Sequence, residues 1–283
     1  MKRLIISLIM ALPMLAMAQS QTNVTVEAAG QLSEKIPQGD RFKIVELKVS
    51  GPLNGTDLKL LQQIVNRTKA NEKNGECLVS TVDLSGATIM EGKEGMKTKA
   101  NELPSGFFAG AKMLTKVILP TNLINISKNC FADCKSLAVL VIPETVTTIG
   151  SQAFQNCLAL SSIDLPVSLL TIGDEAFRKC TSLTEIKVPV AVTTIGSDAF
   201  NGCSTLTKAE LSVAMKKIGG SAFQNCPMLR EVILNSPNPP SISKSTFKGV
   251  AATFHIPTGS QPLFNANKDW QKLPTKEKTS SIF

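Results

Sequence analysis

Phenylalanine returns every 23 residues through the second half of the chain, at Phe108, Phe131, Phe154, Phe177, Phe200 and Phe223, with Phe247 one residue late. A fixed period in the range of roughly 20–50 residues means one small unit stacked on copies of itself, each burying a face it could not bury alone. The chain is a solenoid before it is anything else.

Each position of the repeat has a mechanical reading. Around Ala176, Phe177, Cys180 and Leu183 the apolar residues fall three or four apart, on one face of a short helical or 3₁₀ turn. Ile186 and Val188 alternate with Glu185 and Lys187, the period of a strand with one buried and one exposed side. Pro189 has no N–H for a neighbouring ladder and ends that strand. Ile195 and Gly196 then turn the chain back, glycine granting a backbone geometry that other residues resist. Each copy thus supplies one strand and one helical turn, and the copies stack with their strands parallel in a curved sheet.

The repeated motif, Ile149-Gly150-x-x-Ala153-Phe154-x-x-Cys157-x-x-Leu160-x-x-Ile163-x-Leu165-Pro166, resembles the leucine-rich repeat of the bacterial surface-antigen (BspA-like) type. The likeness is strong over residues 103–257. Departures are Ala111 in place of the first cysteine, Ser212 and Asn235 in place of the late prolines, and Pro237-Asn238-Pro239-Pro240 in the last turn. The resemblance implies an α/β solenoid, a curved parallel sheet with short helical turns opposite and a cap at each end. It also implies adhesion to proteins, matrix components or glycans.

Residues 1–18 read as a secretory signal peptide, with Lys2 and Arg3, an apolar run, and small residues before Gln19. An uncleaved anchor would need about 18 unbroken apolar residues, and Pro13 interrupts this shorter run. The rest of the chain divides into a divergent N-terminal cap (19–102), repeats of about 23 residues (103–250), a C-terminal cap (251–274) and a loose tail (275–283). In the first cap, 42–49 and 79–84 alternate as strands. Residues 57–65 have helical spacing with Asn54 or Thr56 as N-cap, and 90–100 reads as an exposed loop. At the other end, 252–257 reads as a strand and 261–266 as a helix, and Trp270 is placed to lie across the open core.

Loss of Lys2 and Arg3 takes the formal charge from +8 to +6. With no tyrosine and with lysines scattered along the chain, nucleic acid is not an expected partner. Seven cysteines in an exported chain would ordinarily suggest disulfides with one left over. Five of them, Cys134, Cys157, Cys180, Cys203 and Cys226, share one repeat position. Helical turns need up to about 10 Å of room, whereas a disulfide wants Cα atoms about 4.4–6.8 Å apart. The expectation is a ladder of buried free thiols, each beside its counterparts on the helical side and acting as a small apolar core residue. Cys77 and Cys130 stay open.

Function is expected on the exposed side of the sheet, where curvature presents many side chains at once. One column runs Lys116, Val139, Ser162, Glu185, Lys208, Glu231, and the other Ile118, Val141, Asp164, Lys187, Glu210, Ile233. Opposite charges in neighbouring copies either pair laterally as a solvated ladder or form a site. Val139, Val141 and Ile118 either make a contact patch or lie under residues 90–100. No phosphate loop, metalloprotease motif or nucleophile elbow occurs, and the single histidine, His255, falls in the terminal cap. Glu210 and Glu231 leave a remote glycosidase reading, with Lys187 and Lys208 intervening. Asp174-Glu175 lacks the further oxygens calcium needs. The reading is thus an exported, non-enzymatic binder of a protein or glycan, without cofactor or metal, secreted, surface-exposed or periplasmic. A structural role in the envelope is the alternative.

Overall fold

The computed structural model describes residues 21–66 and 78–278, so the expected leader and Cys77 lie outside the described residues. At the N-terminal end are β1 (Gln21–Thr25), α1 (Leu32–Lys35), β2 (Glu46–Leu53), α2 (Gly55–Val65), β3 (Thr81–Asp83) and β4 (Ala87–Ile89). The repeats supply β5 (Lys116–Ile118), β6 (Asn125–Ile126), β7 (Val139–Val141), β8 (Thr148–Ile149), β9 (Thr171–Ile172), β10 (Glu185–Lys187), β11 (Thr194–Ile195), β12 (Lys208–Leu211), β13 (Lys217–Ile218) and β14 (Glu231–Leu234). The chain closes with β15 (Thr253–Ile256), α3 (Gln261–Ala266) and β16 (Thr275–Glu277).

These elements wind into a parallel β-solenoid of about 11 turns. The main sheet has two runs, β1-β2-β3-β5-β7 and β10-β12-β14-β15-β16. Its strands point their middle residues inward, so Val117, Leu140, Ile186, Ala209 and Val232 are buried. A second parallel ladder, β13-β11-β9-β8-β6, runs along another side. The Ile-Gly pairs expected only to turn the chain form this ladder: Ile149, Ile172, Ile195 and Ile218 are buried register partners, flanked by Thr148, Thr171 and Thr194.

The glycines after these isoleucines are there for space, and that corrects the conformational reason given above. Positive φ is recorded at other glycines, not at Gly150, Gly173, Gly196 or Gly219. A Cβ on Gly196 would stand 2.4 Å from the Asp174 nitrogen, and one on Gly173 2.6 Å from the Ser151 nitrogen. Each glycine admits the backbone of the preceding turn.

On the phenylalanine side the helical turns take the form of linked four-residue turns, as in the Ala153 N–H to Gly150 O and Cys157 N–H to Phe154 O bonds. Left-handed residues interrupt them, Gln152 at φ 59° and Asn156 at φ 58°. The freed N–H groups of Gln152, Phe154 and Asn156 donate instead to Asp174, Ala176 and Arg178 of the next turn, at 2.7–2.8 Å. This lateral bonding draws neighbouring turns together. From Phe108 to Phe247 the rings stack at 5.0–5.4 Å between centroids. The spacing of about 10 Å assumed for helical turns is thereby corrected to that of stacked strands.

The N-terminal turns continue the main sheet in register, Glu46 opposite Thr81 and Thr81 opposite Lys116. Asn54 caps α2 and Asp57 completes a capping box. The buried Asp57 carboxylate also accepts the Gly30 and Leu32 N–H groups at 2.6 and 2.9 Å, fastening the loop before α1. At the other end Trp270 is fully buried among Phe247, Phe254 and Phe264, and its Nε1–H donates to Pro240 O at 2.7 Å. Thr275–Glu277, expected to begin a loose tail, instead adds an edge strand on β15. The backbone of β15 was still free to pair, and the short α3 turn returns the chain to it.

Candidate functional site

Both predicted columns emerge on one face of the main sheet because the residues between them are buried. Glu185, Lys208 and Glu231 are register partners on β10, β12 and β14, and so are Lys187, Glu210 and Ile233. Lys116 with Val139, and Ile118 with Val141, pair likewise on β5 and β7. Ser162 and Asp164 hold the matching place in the turn between these runs and are exposed. Lys48 and Asp83 extend the second column into the N-terminal turns, and His255 and Lys276 extend it into the C-terminal ones.

Opposite charges side by side do not close into ion pairs in the middle of this face. Among the described residues, salt bridges within 4.0 Å include Lys48–Asp83 at 3.0 Å and Arg178–Glu175 at 2.6 Å, but none between Glu185, Lys187, Lys208, Glu210 and Glu231. Glu210 instead accepts the Asn235 amide at 3.2 Å. Asp83 shows what pairing does: partial burial alone would raise its carboxyl, yet bonds from Ser85 and Lys48 hold it below the usual value.

Val139 and Val141 are 48% and 47% exposed. Residues 90–100 do not cover them. That loop folds onto the start of α2, where Met96 N–H bonds Gly55 O at 2.9 Å.

The main sheet is interrupted at Ser161-Ser162-Ile163-Asp164, where no strand forms although the rings of Phe154 and Phe177 stack at 5.1 Å on the other side. Serine and aspartate compete for backbone bonds and disfavour strands. At this interruption opens a groove of about 450 Å³, lined by Ile163, Asp164 and Leu165 and, from later turns, by Lys187, Val188, Glu210 and Asn235. Its rim is a stack of valines, Val167, Val190 and Val213, exposed by 71%, 64% and 52%. The sequence reading missed them. The signal was present at the 23-residue period: an apolar residue just after the strand-ending position, where Thr121 and Glu144 stand in earlier copies.

The repeat cysteines line the interior. Each thiol donates to the phenylalanine carbonyl of the preceding turn: Cys157 to Phe131 O, Cys180 to Phe154 O and Cys203 to Phe177 O, all at 3.2 Å. Cys134 and Cys226 bond Phe108 O and Phe200 O at 3.0 and 3.1 Å. Together with Cys130, these five are free and buried. Burial pushes every one of these thiols up, Cys226 to about 11 and Cys134 to about 12. Burial and the carbonyl bonds favour the protonated thiol over the thiolate that disulfide exchange uses.

Among the described residues no three His, Cys, Asp or Glu side chains gather to hold a metal ion. Glu210 and Glu231 face Ile233 and Lys208 across the strands, not each other. Among the same residues no helix is long and apolar enough to cross a membrane.

The family described as BspA type leucine-rich repeat region matches residues 101–230 and 171–261, in six copies. Of solved structures, a leucine-rich repeat protein of T. pallidum is 26% identical, covering 67% of this chain and 83% of its own, with TM-score 0.49. One from Bacteroides ovatus is 25% identical over 59% of this chain, with TM-score 0.46, and the match spans 49% of that protein. A leucine-rich cell surface protein from Faecalibacterium prausnitzii is 17% identical over 79% of this chain and 86% of its own, with TM-score 0.30. No curated protein matches. With the family match extending over more than half of its length, and with the stacked turns that such a match requires, the chain belongs to the BspA-type leucine-rich repeat proteins.

Proposed function

We propose that the chain is an exported, non-enzymatic binding protein that holds a protein ligand on the exposed face of the main sheet, at the cell surface. The observation that carries this reading is the groove beside the sheet interruption. An apolar rim of Val167, Val190 and Val213 borders Asp164, Lys187 and Glu210, charges that no ion pair within 4.0 Å neutralises among the described residues. An apolar centre with a charged surround is the anatomy of a protein interface. Exposed valines stacked at one repeat position also cost solubility without adding to the core.

The test is binding of extracellular-matrix proteins by the purified chain. Val190→Asp should weaken capture roughly tenfold or more, as loss of a central apolar contact does. Lys187→Glu with Lys208→Glu should slow association and alter its salt dependence. Unchanged binding in both variants would move the site off this face. Labelling of intact cells separates a surface binder from an envelope scaffold, since a chain never labelled from outside is not an adhesin.

A further inference from the structure

The positive charge is not spread along the solenoid. Residues 19–212 carry nineteen basic and nineteen acidic side chains and are neutral, while residues 213–283 carry nine basic against three acidic, a net +6. The excess beyond residues 1–18 therefore resides in the last turns and the C-terminal cap. This corrects the reading of the lysines as scattered: the excess is contiguous in sequence, and stacking places it at one end of the solenoid.

A concave feature lies within that end. Ile242, Phe247 and Leu273 floor a groove of about 370 Å³ between the last phenylalanine turn and the segment joining α3 to β16. Lys244, Lys268 and Lys272 stand on its walls with Ser243, and Asp269 is the one acid lining it. The three lysines are exposed, and no salt bridge within 4.0 Å engages them or Asp269 among the described residues.

We propose that this groove is a second binding site, separate from the sheet face, and that it takes a sulfated polysaccharide chain. Three ammonium groups around one groove are point charges suited to sulfate oxygens. The apolar floor suits the C–H face of a sugar ring. Nucleic acid is the poorer fit, because Phe247 is the one aromatic ring lining the groove and Trp270 is fully buried, so successive bases have no platform on which to stack.

Titration of the full chain with a sulfated heparin hexasaccharide tests the assignment. Affinity should fall linearly with the logarithm of salt concentration, as counterion release requires. It should drop roughly tenfold for each of Lys244→Gln, Lys268→Gln and Lys272→Gln. Asp269→Asn should tighten binding severalfold, an outcome that misfolding cannot mimic. Lys187→Glu with Lys208→Glu should leave it unchanged, which separates this site from the sheet face. Equal affinity for the desulfated hexasaccharide, indifference to the three lysine substitutions, or equal affinity for a single-stranded oligonucleotide would each overturn the proposal.

Discussion

At the scale of the residue, the chain uses cysteine where a small apolar group must also donate one hydrogen bond to a phenylalanine carbonyl of the turn before. The consequence is a sign-definite pH dependence. Folded-state thiols raised by burial stay protonated where the unfolded chain ionises, so their contribution is complete below the usual thiol value of about 9. It is lost as pH rises toward about 11–12. The free energy of unfolding, followed by chemical denaturation, should therefore fall between about pH 9 and 11, by up to about 1.4 kcal/mol per pH unit for each thiol involved. Paired Cys180→Ala and Cys203→Ala substitutions should flatten that slope while lowering stability near neutrality. An identical slope in the variant would show that lysine deprotonation, not the thiols, sets it. The phenylalanine and cysteine positions were legible from period alone. The left-handed positions were not: Gln152, Glu175 and Lys179 hold φ of 55–59°, and nothing in those residue types announces such a backbone.

At the scale of the element, the repeat is held on three sides, by the main sheet, by the threonine-isoleucine ladder and by the stacked phenylalanine turns. The main-sheet strands of the repeats were readable from alternation and α2 from its spacing and Asn54 cap, whereas α1 was not anticipated. The second ladder was not, because two residues of Thr-Ile carry too little pattern to distinguish a strand from a turn. The interruption at Ser161–Asp164 was hidden for the opposite reason: Ile163 keeps the period while its serine and aspartate neighbours undo the pairing. The close glycines give this scale its prediction. Gly196→Ala places a methyl 2.4 Å from the Gly173 carbonyl carbon and Asp174 nitrogen. It must force neighbouring turns away from each other and should cost about 1–3 kcal/mol, as overpacking does. Gly110→Ala, where nothing lies within 4 Å of the added methyl but φ is +75°, carries only backbone strain. Chemical denaturation of the two variants separates crowding from strain, and equal losses would refute the close-approach reading of Gly196.

At the scale of the whole molecule, each turn touches only its neighbours, so stability is a sum along one axis and the ends are its weakest terms. The same axis sorts function. The predicted columns and the valine groove occupy the middle turns, while the charge excess gathers at the C-terminal end. The valine period and the basic stretch 213–283 were both present in the sequence; what needed the stacked turns were the two grooves, each of which joins residues one or more copies apart. The aromatic seal over the last turn has an optical corollary. Trp270 is the only tryptophan in a chain without tyrosine, so near-ultraviolet-excited emission observes the C-terminal end and little else. Under rising denaturant its red shift should precede the loss of far-ultraviolet ellipticity, which averages over every turn. Coincident curves would mean instead that the array melts as one cooperative unit.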